Sequence, residues 1–255
     1  MKCSNFTYWD LKQKGRVKYL EFNGWDNVRV YYSTRVGGVS PPPYDTLNLH
    51  AKRGDSLEDI ESNREIFYRT INVDESNVVY TNQNHSAKVN VVNSKGKKIE
   101  GDGIITDKKH LFLAVFTADC IALFLYSSRV RVISLLHVGW KGAEKGIIER
   151  GVRKICKEYR VEPDGIEALL GPSIGPTCYQ VGEGFRKRFG RDYVVEKEGR
   201  LYFDMWSMVE DRLKQTGISR SFSPHICTFL RNDLFFSYRK SGDKVGENIG
   251  VIGLV

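Results

Sequence analysis

The chain has 255 residues, with 39 Lys and Arg against 31 Asp and Glu, a net charge of +8 with histidine neutral, 41% hydrophobic residues and 27% charged ones. This balance excludes a disordered or fibrous chain, and the length can enclose a buried site within one large domain or two joined halves. The basic excess attracts anions without naming them: Lys and Arg are spread along the chain, gather only briefly at 95–98 and 186–188, and form no nucleic-acid-binding motif.

The N-terminus, MKCSNFTYWDLKQKG, carries charges where a secretory signal has its apolar stretch, so a cytoplasmic protein is expected. The first strong strand is VRVYY at 28–32, which runs into the Gly- and Pro-rich loop TRVGGVSPPPYDTLNL. A helix follows: Ser56 is its N-cap, Asp59 stands three residues on, and Leu57, Ile60, Phe67, Tyr68 and Ile71 follow helical spacing. Short β-type runs at 78–80 and 88–92 lead to three strongly apolar runs at 111–116, 121–126 and 130–136, the expected central strands. The unbroken runs LFLAVF and IALFLY are far shorter than the roughly 20 apolar residues that span a bilayer, so no membrane segment is expected.

A second helix carries Ala143, Ile147, Ile148, Val152, Ile155 and Tyr159 on one stripe. Beyond it come a strand at 166–170, a turn-rich GPSIGPTCY segment, a helix over about 204–214, and a final strand pair at 225–229 and 234–238. No repeat or linker divides the chain, so residues 1–255 read as a single domain of α+β type. Strands in groups favour a mixed-sheet sandwich over a doubly wound fold.

Three polar residues stand where apolar strands begin or end: His85, Cys120 and His137. Two imidazoles and a thiolate are a set that zinc accepts while keeping a fourth position open. Copper accepts it too, but Met1, Met205 and Met208 lie too far off in sequence for a blue-copper pattern. No CxxC or HExxH spacing is present, and Cys120 on spacing alone reads equally as a small buried core residue. HVGWKGAEKG places His137, two glycines and Lys141 between a buried strand and a helix N-terminus, a place that suits an anion. Arg35 before paired glycines offers a fork to an oxyanion, or is a surface turn residue. Asp119 beside Cys120 orients a ligand, acts as an acid, or caps a turn.

Taken in order, TRVGGVS, GDGIIT, TADC, HVGWKG, GPSIGPTCYQVG and FFSYR resemble the multicopper polyphenol oxidase or laccase-domain family, the YfiH family, now understood as purine nucleoside phosphorylases. The resemblance spans about residues 28–240 and implies an α/β/β/α layered fold shared with cysteine-hydrolase-type domains. It implies a catalytic zinc, or copper, held by His85, Cys120 and His137. The departures are Asn84 for Val, Ile121 for Pro, Val138 for Ala and Lys141 for Arg; the last keeps the charge but loses the planar grip on phosphate.

The activity implied is phosphorolysis of adenosine, inosine, guanosine or S-methyl-5'-thioadenosine to the base and a ribose 1-phosphate, with Arg35 and Lys141 as phosphate-binding residues. Deamination of adenosine is implied as well, where a metal's power to acidify water suits attack at purine C6. Three alternatives stand beside it: copper-dependent phenol oxidation, a hydrolase with Cys120 as nucleophile and His137 as its base, and a nucleic-acid-binding module. An even spread of charge argues against the last, and no specific nucleic acid is expected as a partner. With an odd count of five cysteines, Cys3, Cys120, Cys156, Cys178 and Cys227 are expected as mostly reduced thiols. His50, His110 and His225 are expected to play no ligand role, Cys178 borders the pocket or packs, and Asn63 and Arg64 buttress a loop.

Overall fold

A computed structural model describes residues 7–95 and 98–255; Cys3, and Gly96 and Lys97 of the 95–98 basic cluster, lie outside the described residues. In chain order the first elements are β1 (Asp10–Lys14), β2 (Val17–Phe22), β3 (Val28–Ser33), α1 (Leu57–Thr70), β4 (Val78–Asn82), β5 (Val89–Val91), β6 (Lys98–Glu100) and β7 (Gly103–Thr106). The apolar centre supplies β8 (Phe112–Thr117), β9 (Ile121–Ser127) and β10 (Val132–Val138), then α2 (Trp140–Glu144) and α3 (Ile147–Tyr159). After these come β11 (Glu167–Leu170), β12 (Gln180–Val181), α4 (Gly184–Phe189), β13 (Val194–Lys197), β14 (Arg200–Phe203), α5 (Met205–Gln215), β15 (Arg220–Phe222), α6 (Tyr238–Ser241) and β16 (Asn248–Leu254).

Seven strands form one mixed sheet in the order β1-β2-β3-β16-β8-β4-β6, and six form a second in the order β15-β11-β9-β10-β7-β5. Strand pleating explains how the two stack, because successive side chains leave a strand on opposite faces. On β8, Leu113 and Val115 join Phe124 of β9 and Ile133 and Leu135 of β10 in a core between the sheets. The alternate residues Phe112, Ala114 and Phe116 face Phe67 and Tyr68 of α1. On β9 and β10, Ile121, Leu123, Leu136 and Val138 point the other way, onto α3 and α5. The layers are therefore helix, sheet, sheet, helix. A small third sheet, β12-β14-β13, flanks the last layer. Among the described residues no helix is long and apolar enough to cross a membrane.

α1 begins as its sequence requires, with the Ser56 side chain accepting from the Asp59 amide, but Leu57 in its first turn is 66% exposed and is no part of the core stripe. The single helix expected to carry Ala143 to Tyr159 is two helices, broken at Gly146, whose φ of 80° is left-handed. The break lets Ala143 and Ile147 both stay on the sheet.

The strand pair expected at 225–229 and 234–238 does not form: this stretch is turns with one isolated bridge from Cys227 to Ser173, ending in α6. Its apolar residues Phe235 and Phe236 are buried all the same. The Phe236 backbone is satisfied by a side chain instead of a ladder: its amide donates to Asn248 Oδ1 and its carbonyl accepts from Asn248 Nδ2, both at 3.1 Å. The place between β3 and β8 belongs to β16, which pairs antiparallel with both.

Candidate functional site

The same pleat parity that builds the inter-sheet core also builds the site. His137 follows Ile133 and Leu135 on the inter-sheet face of β10 and pairs in register with Ala122 of β9. Cys120, just before β9, continues the parity of Ala122 and Phe124. At this end of the sheets the core gives way to polar groups. His85 arrives from the turn after β4 with a left-handed φ of 56°. The ligand atoms of His85, Cys120 and His137 all lie within 4.8 Å of one another.

Asp102 holds this cluster in shape, and sequence reasoning missed it although the GDG motif contains it. Fully buried ahead of β7, it accepts from His137 Nδ1 at 2.8 Å and from the backbone amides of Asn84, His85 and Ser86. The Ser86 hydroxyl adds a bond at 2.7 Å, and the Asp102 carbonyl accepts from the His137 amide at 2.7 Å. One carboxylate thus fixes both histidines. Burial raises its pKa, but His137 and Ser86 outweigh this and hold it well below the usual carboxylate range. For His137, burial opposes the charge, yet its contacts with Cys120 and Asp102 lift its pKa to about 10. Burial and the neighbouring His137 push His85 down to about 4, so that ring is neutral.

This donor set fits a zinc or copper ion. A neutral imidazole, a second imidazole whose Nδ1 is tied to a carboxylate, and a thiol that gives up its proton when a cation takes its sulfur are what such metals bind. Space is reserved as well: a Cβ on Gly139 meets Cys120 Sγ at 2.8 Å and His85 Nδ1 at 3.1 Å, so only glycine leaves these ligands where they are. Among the described residues no other group of three such side chains converges.

The cluster forms one wall of a cavity of about 370 Å³, of the size that takes small molecules. The other walls come from His50, Lys52, Arg53, Gln83, Phe116, Trp140, Lys141, Ile174, Tyr179, Tyr238, Arg239 and Glu247. Three aromatic rings of this lining each carry a cation that also lines the cavity: Arg53 over Tyr238 at 4.8 Å, Arg239 over Tyr179 at 5.1 Å and Lys141 over Trp140 at 5.4 Å. Lys141 is exposed at the cavity.

Arg35 is not. Its Nε donates to the Asp45 carbonyl at 2.7 Å, Nη2 pairs with the Asp45 carboxylate at 3.0 Å, Nη1 reaches the Asn232 carbonyl, and the guanidinium lies over Phe236 at 4.7 Å. These bonds clamp two loops together and leave no fork for an oxyanion in the cavity. Asp119 lines the cavity, where Oδ1 accepts from Thr228 and Oδ2 from the Arg239 amide, each at 2.6 Å. Burial raises its pKa despite these donors. Its carboxylate ties the turn at Thr228 to the first turn of α6.

His50 is the reverse case. It lines the cavity, stacks on Phe116 with centroids 4.1 Å apart and planes 2° from parallel, and bonds Glu247 through Nδ1. Arg53 Nε holds the other oxygen of Glu247 at 3.1 Å. Burial raises the Glu247 pKa, but these two partners bring it down to about 2. His225, stacked on Trp206 and paired with Glu210, stays outside the cavity, as do His110 and Cys178.

A layered α/β/β/α sandwich with a His-Cys-His cluster at the end of its sheet interface defines a known class. The chain belongs to the multi-copper polyphenol oxidoreductase laccase family, whose model matches residues 29–255. Among curated proteins it is 29% identical over 238 residues to the purine nucleoside phosphorylase of Haemophilus influenzae, covering 89% of this chain and 94% of that one. It is 31% identical over 215 residues to the purine nucleoside phosphorylase YfiH of Escherichia coli, covering 82% and 86%. Among solved structures it is similar to the hypothetical protein YfiH of Bacillus licheniformis, with a TM-score of 0.90, 25% identity and coverage of 96% and 99%. The Neisseria meningitidis protein NMB0706 gives 0.82 and 29%, covering 92% and 98%.

Proposed function

We propose that the chain acts as one catalytic domain in the cytoplasm, splitting purine nucleosides (adenosine, inosine, guanosine or S-methyl-5'-thioadenosine) with inorganic phosphate into the base and ribose 1-phosphate. The observation that carries this reading is that one cavity joins the His85, Cys120 and His137 cluster to a lining of ring-and-cation pairs. Tyr179, Tyr238 and Trp140 offer faces on which a purine stacks. Lys141, Arg53 and Arg239 supply the charge that draws in phosphate, with Arg53 and Arg239 standing where Arg35 was expected. Free thiols at Cys120, Cys156, Cys178 and Cys227 suit a reducing compartment.

His85, Cys120 and His137 would hold zinc, with copper as the alternative, and Asp102 would keep the His137 ring aimed and the His85 backbone in place. When bound, such a metal supplies Lewis-acid polarisation and acidification of water, chemistry that serves phosphorolysis and also hydrolytic loss of the adenosine 6-amino group. The cavity excludes bulk water from the sugar while positive charge develops on it, and the cations place phosphate beside it. Phenol oxidation coupled to four-electron reduction of oxygen needs several coppers, and the described residues gather one such cluster.

The test is phosphate-dependent release of hypoxanthine from inosine, and of ammonia from adenosine, by metal-replete protein. Absence of turnover, with His137→Ala indistinguishable from the unaltered protein, overturns the reading.

A further inference from the structure

The wall of the cavity formed by Phe116 holds a third imidazole, apart from the two of the His-Cys-His cluster and held as firmly. The His50 ring is fixed on both counts that matter for proton transfer: its plane by the parallel stack on Phe116, and its tautomer by the Glu247 carboxylate at Nδ1. A carboxylate can only accept there, so Nδ1 carries a hydrogen and Nε2 remains as the ring's other working nitrogen. No described residue bonds Nε2, and the ring lines the cavity with its side chain 21% exposed. Arg53 completes the arrangement from the other oxygen of Glu247, and the carboxylate itself is 10% exposed. A Glu–His pair at a ligand cavity, with one ring nitrogen left unbonded, has the parts of a proton-transfer device, since a carboxylate stabilises an imidazolium.

Resting on the phosphorylase reading, we propose that His50 is a catalytic residue: its Nε2 gives a proton to the departing purine, with Glu247 as its positioning carboxylate. In the step, a phosphate oxygen forms a bond to the sugar C1′ as the bond from C1′ to purine N9 breaks. The electron pair of that bond goes to the purine, whose N7 takes the proton from His50 Nε2. The base leaves neutral, and the imidazole regains its proton from solvent. An unprotonated purine would leave as an anion, which is why a donor at this point lowers the barrier.

The experiment compares two substrates in one variant. Inosine needs the proton; 7-methylinosine, already cationic because N7 is alkylated, leaves as a neutral base without one. His50→Gln is expected to lose about a hundredfold or more in kcat on inosine and less than about fivefold on 7-methylinosine, as removal of a general acid requires. Equal losses on both substrates by folded, metal-loaded protein overturn the proposal, as does an unchanged rate on inosine. If His50→Gln does not fold, the same ratio measured on Glu247→Gln decides. Failure of the unaltered protein to split either nucleoside is a different result: it removes the phosphorylase reading and the donor role with it.

Discussion

His137 and His50 are each bonded through Nδ1 to a buried carboxylate, Asp102 and Glu247, and both rings face the same cavity. What surrounds them differs. His137 converges with Cys120 and His85, and its carboxylate also gathers three backbone amides. His50 has a phenyl ring on its face and an arginine behind its carboxylate. A carboxylate–imidazole pair is thus a neutral module: with other soft donors beside Nε2 it suits a metal, and alone it suits a proton.

The largest effects should come from breaking the first region. Cys120→Ala removes the thiolate and should abolish stoichiometric metal binding, while Asp102→Asn leaves the ligands in place and should weaken affinity by about 10–100-fold. Metal analysis of dialysed protein and competition with a chelator check both. Equal affinity in Asp102→Asn and the unaltered protein would show that the two histidines do not depend on it.

The second region should announce itself through acid stability. Glu247 has its folded pKa brought from 4.5 to about 2, so its contribution is full above pH 4.5 and is lost as pH falls through about 2. The difference corresponds to something of order 3 kcal/mol. Glu247→Gln should flatten the decline of the urea midpoint between pH 4.5 and 2; an unchanged decline would break the comparison.

The smallest effect separates the two cations proposed for phosphate from sequence. Lys141→Ala should raise the KM for phosphate by about tenfold, equivalent to ~1.4 kcal/mol, with little change in melting temperature. Arg35→Ala should do the opposite, leaving that KM alone and lowering the melting temperature by about 2–4 °C for each kcal/mol of lost clamp.

These contrasts also explain what the sequence made legible. The strands β8, β9 and β10 could be read because every residue in them is buried, giving unbroken apolar runs. The strand β16 escaped notice because Gly250 and Gly253 interrupt its pattern; a Cβ on Gly250 meets Phe124 at 2.9 Å, so close sheet packing, not weak strand character, put glycine there. Asn63 was readable as a buttress, and its amide does bond Ser40 and the Thr46 and Asn48 carbonyls. His50 was not readable, since its partner Glu247 lies 197 residues away. Arg35 misled differently: paired glycines two residues on suggested an open turn, but its partners in space are Asp45 and Phe236.

The placement of β16 sets the order in which this protein can come into being. Its register ties residues 248–254 to both β3 and β8, and Glu247 stands directly before it. A nascent chain that has already exposed His85, Cys120 and His137 to the ribosome's surroundings still lacks the strand that closes the sheet behind them. Both halves of the cavity therefore wait on pairing between strands far apart in sequence, the kind of contact that forms slowly.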